Sequence, residues 1–187
     1  MHDVTEAELI RRARAGESRA MRALHERYAP LVFAVVRRFA PDDDTAHDWE
    51  QDAWISAFRG LHDYRGAATL GSWLHRIAVN AALQGQRRAH RHTNGHDDME
   101  AVEGAPVVAA AESERILLRL DLTEAINRLP SRMREILLLH DVEGFQHEEI
   151  ATLLDITDGA SRSQLFKARA RLRHLMGGDE HPNGAHR

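Results

Sequence analysis

With 187 residues the chain can bury one sizeable core or two small ones, and 43% hydrophobic with 29% charged residues is globular composition, neither disordered nor membrane-spanning. It contains no cysteine, which excludes disulfides, thiolate nucleophiles, cysteine-ligated zinc and redox sensing by the chain itself. A formal net charge of -4 argues against a generic nucleic-acid coat, but the charge is segregated. Basic residues gather at Arg87, Arg88 and Arg91 and from Arg162 to Arg173, acids from Asp42 to Asp52 and from Asp97 to Glu114. That pattern suits one face for DNA and another for a basic protein partner. The longest apolar run, Leu31 to Val36, is far short of the roughly 20 residues needed to cross a bilayer, and the polar, acidic N-terminus is no signal peptide, so a cytoplasmic protein is expected.

Strand signals are nearly absent and everything periodic has the helical period, so the expected fold is all-α. The first predicted helix runs from Thr5 to Ala15, opened by a Thr5-x-x-Glu8 capping box and closed by Gly16. A longer helix follows, with Met21, Leu24, Tyr28, Leu31, Val32, Val35, Val36 and Phe39 on a broad apolar face, Pro30 as a kink and Pro41 beyond its end. The third spans about Asp44 to Leu61 with Ala53, Trp54, Phe58 and Leu61 inward, and the fourth about Thr69 to Arg91 with Trp73, Leu74, Ile77, Ala78 and Ala81 inward. Between them lies the short loop from Tyr64 to Ala68.

Residues 94–112 lose periodicity and take linker composition, which marks a domain boundary: a first domain over 1–93, a flexible acidic linker over 94–112, a second domain over 113–177 and a disordered tail over 178–187. The second domain begins near Ser113 with Leu117, Leu120, Ile126 and Leu129 inward, breaks at Pro130, resumes with Met133, Ile136, Leu137 and Leu139, and stops at Gly144. From Glu148 to Arg173 the chain reads as two helices about a tight turn. Ile150, Leu153 and Leu154 keep helical spacing, Asp155-Ile156-Thr157 breaks it, and Leu165, Ala168 and Leu172 resume it, with Ile156 plugging the angle. The last helix carries Arg162, Lys167, Arg169, Arg171 and Arg173, as a helix lying in a DNA groove requires.

Two stretches resemble one family in the right order. DWEQDAWISAFRGLHDYRG followed by SWLHRIAVNAALQGQRR is similar to region 2 of the extracytoplasmic-function sigma factors of the sigma-70 family, and INRLPSRMREILLLHDVEGFQHEEIATLL with the helix after it is similar to their region 4. The resemblance implies two small helical domains and a protein that joins core RNA polymerase, reads the -35 promoter element as duplex and captures the -10 element as melted strand. It implies core binding through Asp48, Gln51 and Asp52 on the third helix, against the beta-prime clamp helices, with the beta flap as a second contact. For the -10 element it implies Tyr64, Arg65, His75, Arg76 and Asn80, with Arg87 and Arg88 on phosphates; Trp54 and Trp73 read as core. For the -35 element it implies Arg162, Ser163, Gln164, Phe166 and Lys167, with Arg169 and Arg171 nearer the backbone or solvent. An anti-sigma factor is the further partner it implies. Leu70, Gly71 and Gly85 depart from the family pattern in region 2; Gln164, where many relatives carry Arg, and Ala160 and Ser161 depart in region 4, so a somewhat different promoter preference is expected.

Neither a metal nor a cofactor is expected. His90, His92 and His96 with Asp97 and Asp98 lie across a helix end and lack a completing ligand framework, and His147-Glu148 fails the H-E-x-x-H pattern because Ala151 stands at the second histidine position. No phosphate-cradling loop or catalytic triad stands out, so an enzyme is not expected. The alternatives are a stand-alone helix-turn-helix repressor or activator, which needs an effector pocket or dimer interface in the first domain, and a helical adaptor, which leaves the basic last helix unexplained.

Overall fold

A computed structural model describes residues 5–92 and 122–176; the expected linker and tail lie outside the described residues, as do 113–121. The chain divides into two compact units, Met1–His96 and Asp97–Arg187. Among the described residues there are helices and no strand.

The first unit holds α1 (Glu6–Arg14), α2 (Ser18–Phe39), α3 (Asp43–Gly60) and α4 (Leu70–His92). α2 packs against the other three, and α3 also packs against α4. Its buried residues Leu24, Val32, Val35, Val36 and Phe39 follow helical spacing, and each such side chain taken from water contributes roughly 1.5–3 kcal/mol. Pro30 is exposed within α2, where it withholds one backbone donor, and the helix runs on through it to Phe39. The Thr5 capping box is half realised. Thr5 accepts from the Glu8 amide at 3.4 Å, but the Glu8 carboxylate turns away to Arg11 at 2.7 Å and Arg12 at 2.6 Å, because two guanidiniums outcompete one backbone N–H. Those two arginines hold the Glu8 carboxyl down at about 2. α3 is capped by Asp42, whose carboxylate accepts from the Thr45 amide at 2.7 Å.

Gly85 does more than interrupt a basic helix end. A Cβ there would stand 2.2 Å from the Trp49 indole, so the glycine is what makes room for buried Trp49 against α4. Beside it Gln86 is buried and donates to the Phe39 carbonyl at 3.1 Å, satisfying a carbonyl that the end of α2 leaves without a helical partner. Val79, next to Asn80, is fully buried, whereas Trp73 and Ile77 are half-buried.

The second unit holds a short helix α5 over 122–127, then α6 (Ser131–Leu137), a π-helical turn (Leu138–Val142), α7 (His147–Leu154) and α8 (Asp158–Leu175). α8 packs against α6 and α7. The break at Pro130 stands where the periodicity predicts it. The π turn does not follow from periodicity. The residues from Glu135 to Leu139 are consecutively buried, more than one stripe of a 3.6-residue helix can turn inward, and the wider turn, closed by the Glu143 amide on the Leu138 carbonyl at 2.9 Å, accommodates them.

Candidate nucleic-acid interface

In the second unit α7 and α8 meet at a turn set by three residues. Asp155 takes the left-handed conformation (φ 54°) that ends α7, the Ile156 amide bonds back to Ala151 O at 3.0 Å, and Thr157 caps α8 by accepting from the Ala160 amide at 3.1 Å. Ile156 is half-buried in that angle. α7 is braced at its start, where the Gln146 amide donates to Glu149 at 3.0 Å. Ser161, Leu165 and Ala168 turn α8 to the core, which leaves its opposite side outward.

On that outward side Arg162, Ser163, Phe166, Lys167 and Arg171 are exposed and Gln164 is half-buried. Phe166 is 73% exposed, the most exposed large hydrophobic side chain among the described residues. Arg162 pairs with Asp158 one turn earlier at 3.1 Å. Arg169 is engaged differently from the others: its guanidinium grips both oxygens of Asp141 in the π turn, at 3.0 and 2.5 Å. That arginine holds the Asp141 carboxyl below its usual range. Asp141 also bonds His140 Nδ1 at 2.9 Å, His140 stacks on His147 with ring centroids 4.5 Å apart, and His147 Nδ1 lies 2.9 Å from the fully buried Ser161 hydroxyl. The departure at Ser161 thus has a partner. The chain of contacts ties the middle and the start of α8 to the π turn and to α7, and partial burial with the neighbouring His140 charge holds the His147 imidazole below its usual range.

In the first unit α4 carries an exposed polar stripe. Arg76, Asn80, Gln84, Arg87 and Arg91 are exposed at successive spacings of three or four residues and lie on one face. Gln84 belongs to this row and was not among the residues expected from sequence; helical spacing from Asn80 would have found it. His75 is half-buried beside the stripe. Arg88 points away from it, into an ion pair with Asp52 on α3. The structure therefore joins one residue expected on DNA to one expected on the polymerase. Asp48 and Gln51 are exposed on the same α3 side.

The loop before α4 presents Arg65 to solvent, but Tyr64 is half-buried and folded inward. Its hydroxyl donates to the Ala68 carbonyl at 2.7 Å and its ring sits 5.2 Å from Trp73. α4 itself starts on Thr69, whose hydroxyl oxygen accepts from the Ser72 amide at 3.1 Å.

Comparison with known proteins matches both units. Residues 24–92 fit the family description "Sigma-70 region 2" and residues 119–172 fit "Sigma-70, region 4". The chain is 33% identical over 172 residues to the RNA polymerase sigma-H factor of Pseudomonas aeruginosa, across 87% of this chain and 89% of that one. It is 31% identical over 175 residues to the ECF RNA polymerase sigma-E factor of Escherichia coli, across 89% and 91%. Its fold is similar to that of the sigma factor RpoE from Bartonella quintana, solved in complex with the anti-sigma factor NepR, with a TM-score of 0.56 and 22% identity over 85% of this chain and 98% of that chain. The two units, each with its outward polar helix, are those of one family, and the chain belongs to the extracytoplasmic-function sigma factors of the sigma-70 family.

Proposed function

We propose that this protein joins core RNA polymerase and directs promoter-specific initiation, with the second unit on the -35 duplex and the first on the melted -10 strand. One observation carries the reading: a single chain holds both a region 2 and a region 4 unit in order. A stand-alone regulator or an adaptor accounts for one unit and leaves the other without a role.

In this reading α8 enters the major groove with its first two turns. Arg162 is suited to a guanine edge and Gln164 to an adenine edge, Phe166 offers an apolar surface to a thymine methyl, and Ser163 adds a short donor. Lys167 and Arg171 neutralise phosphates, a contribution that weakens with salt and does not depend on sequence. Arg162 exchanges its Asp158 partner for DNA; at a 60% exposed arginine side chain that partner contributes little. Arg169 holds α8 in place through Asp141 instead of reaching a phosphate.

The loop around Arg65 receives a base flipped from the stack, and Arg76, Asn80, Gln84 and Arg87 track the single strand beyond it, with His75 at the edge. Unstacking a base costs a few kcal/mol, which hydrogen bonds within a formed pocket offset without ATP. Asp48, Gln51 and Asp52 face the beta-prime clamp helices, and the second unit faces the beta flap. An anti-sigma factor masking these faces completes the partners, by analogy with the complex in which the Bartonella relative was solved. The protein works without catalysis of its own and in the cytoplasm, where the polymerase is; no helix among the described residues is long and apolar enough to cross a membrane.

The test at the -35 element is a binding series on duplexes varied base by base. Substituting Arg162 or Gln164 should shift base preference by about 1–3 kcal/mol at one position each, whereas Arg173→Ala should weaken all sequences alike and lower the salt slope by about one. Uniform loss in all three variants contradicts the placement of α8 in the groove.

A further inference from the structure

The loop before α4 is tied down by a residue far from it in sequence. Arg14 is the last residue of α1, yet its Nε donates to the Leu61 carbonyl at 3.0 Å and its Nη2 donates to the Tyr64 carbonyl. Leu61 is the residue at which α3 ends, so one guanidinium both closes the carboxyl end of α3 and fastens the first residue of the exposed loop. Tyr64 then fastens the far side, through its hydroxyl on Ala68 O at 2.7 Å and its ring 5.2 Å from Trp73. Trp73 in turn closes against Gly60, where a Cβ would stand 3.4 Å from the indole. What remains outside these ties is the exposed arch from Arg65 to Ala68, with Gly66 at φ 74° giving it its bend.

We infer that Arg14 is a positioning residue for base capture: it holds the arch in its receiving shape before DNA arrives. A loop already ordered loses little conformational freedom when the base enters, so the binding energy of the base is not spent on ordering the loop. A planar guanidinium aims separate N–H groups at the two carbonyls in fixed directions; a lysine ammonium supplies charge and donors but not that fixed geometry. The inference rests on the proposed reading of this loop as the base receptor.

The experiment uses the full chain assembled with core polymerase and a fluorescent single-stranded oligonucleotide of the -10 non-template sequence, with each base replaced in turn by an abasic site. Wild type should show one position at which removing the base weakens binding markedly. In Arg14→Ala that penalty should shrink on the order of tenfold, the scale of losing a charged hydrogen bond, while core affinity and binding to a -35 duplex stay unchanged. Arg14→Lys keeps charge and stem at the helix end and should still show the shrunken penalty, so it carries the test if alanine unsettles the fold. A residue that only stabilised the unit would instead weaken all the oligonucleotides and core binding together. An abasic penalty of wild-type size in both variants overturns the inference and leaves the proposed function standing. A wild-type protein with no such position overturns base capture by this loop, and the inference with it.

Discussion

Gly85 shows how a residue that breaks a helical pattern can be a packing requirement. The pattern alone makes it a weak point in α4, since glycine costs about 1 kcal/mol against alanine in a helix interior. The structure reverses the sign, because the site of the missing Cβ is taken by the Trp49 indole at 2.2 Å. Gly85→Ala should therefore destabilise the first unit by about 1–3 kcal/mol despite its better helix propensity, measured as a shift in the urea midpoint. An unchanged or raised midpoint would mean that Trp49 moves aside at no cost. Arg169 is the corresponding case in α8: expected nearer the backbone or solvent, it grips both oxygens of Asp141 with its guanidinium. A double-mutant cycle of Asp141→Ala and Arg169→Ala should give a coupling of about 0.5–1 kcal/mol in unfolding. Additive effects would return Arg169 to the role of a plain surface cation.

At the scale of the element, the π turn and α7 hold α8 through ionisable groups, so the hold depends on pH. His147 faces His140, Ser161, Asp158, Arg162 and Arg169, and its imidazole is held below its ordinary value of 6.5, first by partial burial and then by the His140 charge. A group depressed in the folded state contributes stability that is complete above its unfolded pKa and lost as pH falls through its folded one. The second unit should thus begin to lose stability as pH drops below 6.5, and again below the ordinary 3.8 of Asp141, whose carboxyl Arg169 holds down. His147→Gln should flatten the first decline and leave the second, read from unfolding midpoints between about pH 8 and pH 3. If the first decline survives in the variant, His147 is not its source. The elements themselves were largely legible in the sequence. Helical spacing placed α1, α2, α3, α4, α7 and α8, and the breakers Gly16 after α1, Pro130 before α6 and Asp155 after α7 marked boundaries, because each acts through local backbone geometry. The π turn was not legible, since its cause is a run of buried residues demanded by three-dimensional packing. Nor was the grip of Arg14 on the loop, which joins residues 47 and 50 positions apart.

For the whole molecule, the two units differ in the charge they turn outward. α8 offers an outward basic row in one unit, and in the other α4 offers a polar stripe while α3 offers acids. The Asp52–Arg88 pair links the acidic and basic faces of the first unit directly, so a substitution at Asp52 also disturbs Arg88. Asp48 is exposed on the same helix and gives the cleaner probe of polymerase binding. Segregated charge was visible in the sequence as blocks, but which acids face outward and which are held by arginines emerged only from the packing of α3 on α4. The most direct measurement is run-off transcription by purified core RNA polymerase, with and without this protein, on a pool of promoter fragments. Initiation at a small set of promoters sharing a -35 and a -10 sequence, abolished by Asp48→Arg in a protein of unchanged melting temperature, is the predicted result. Retained binding to duplex DNA with neither core binding nor initiation would contradict the account.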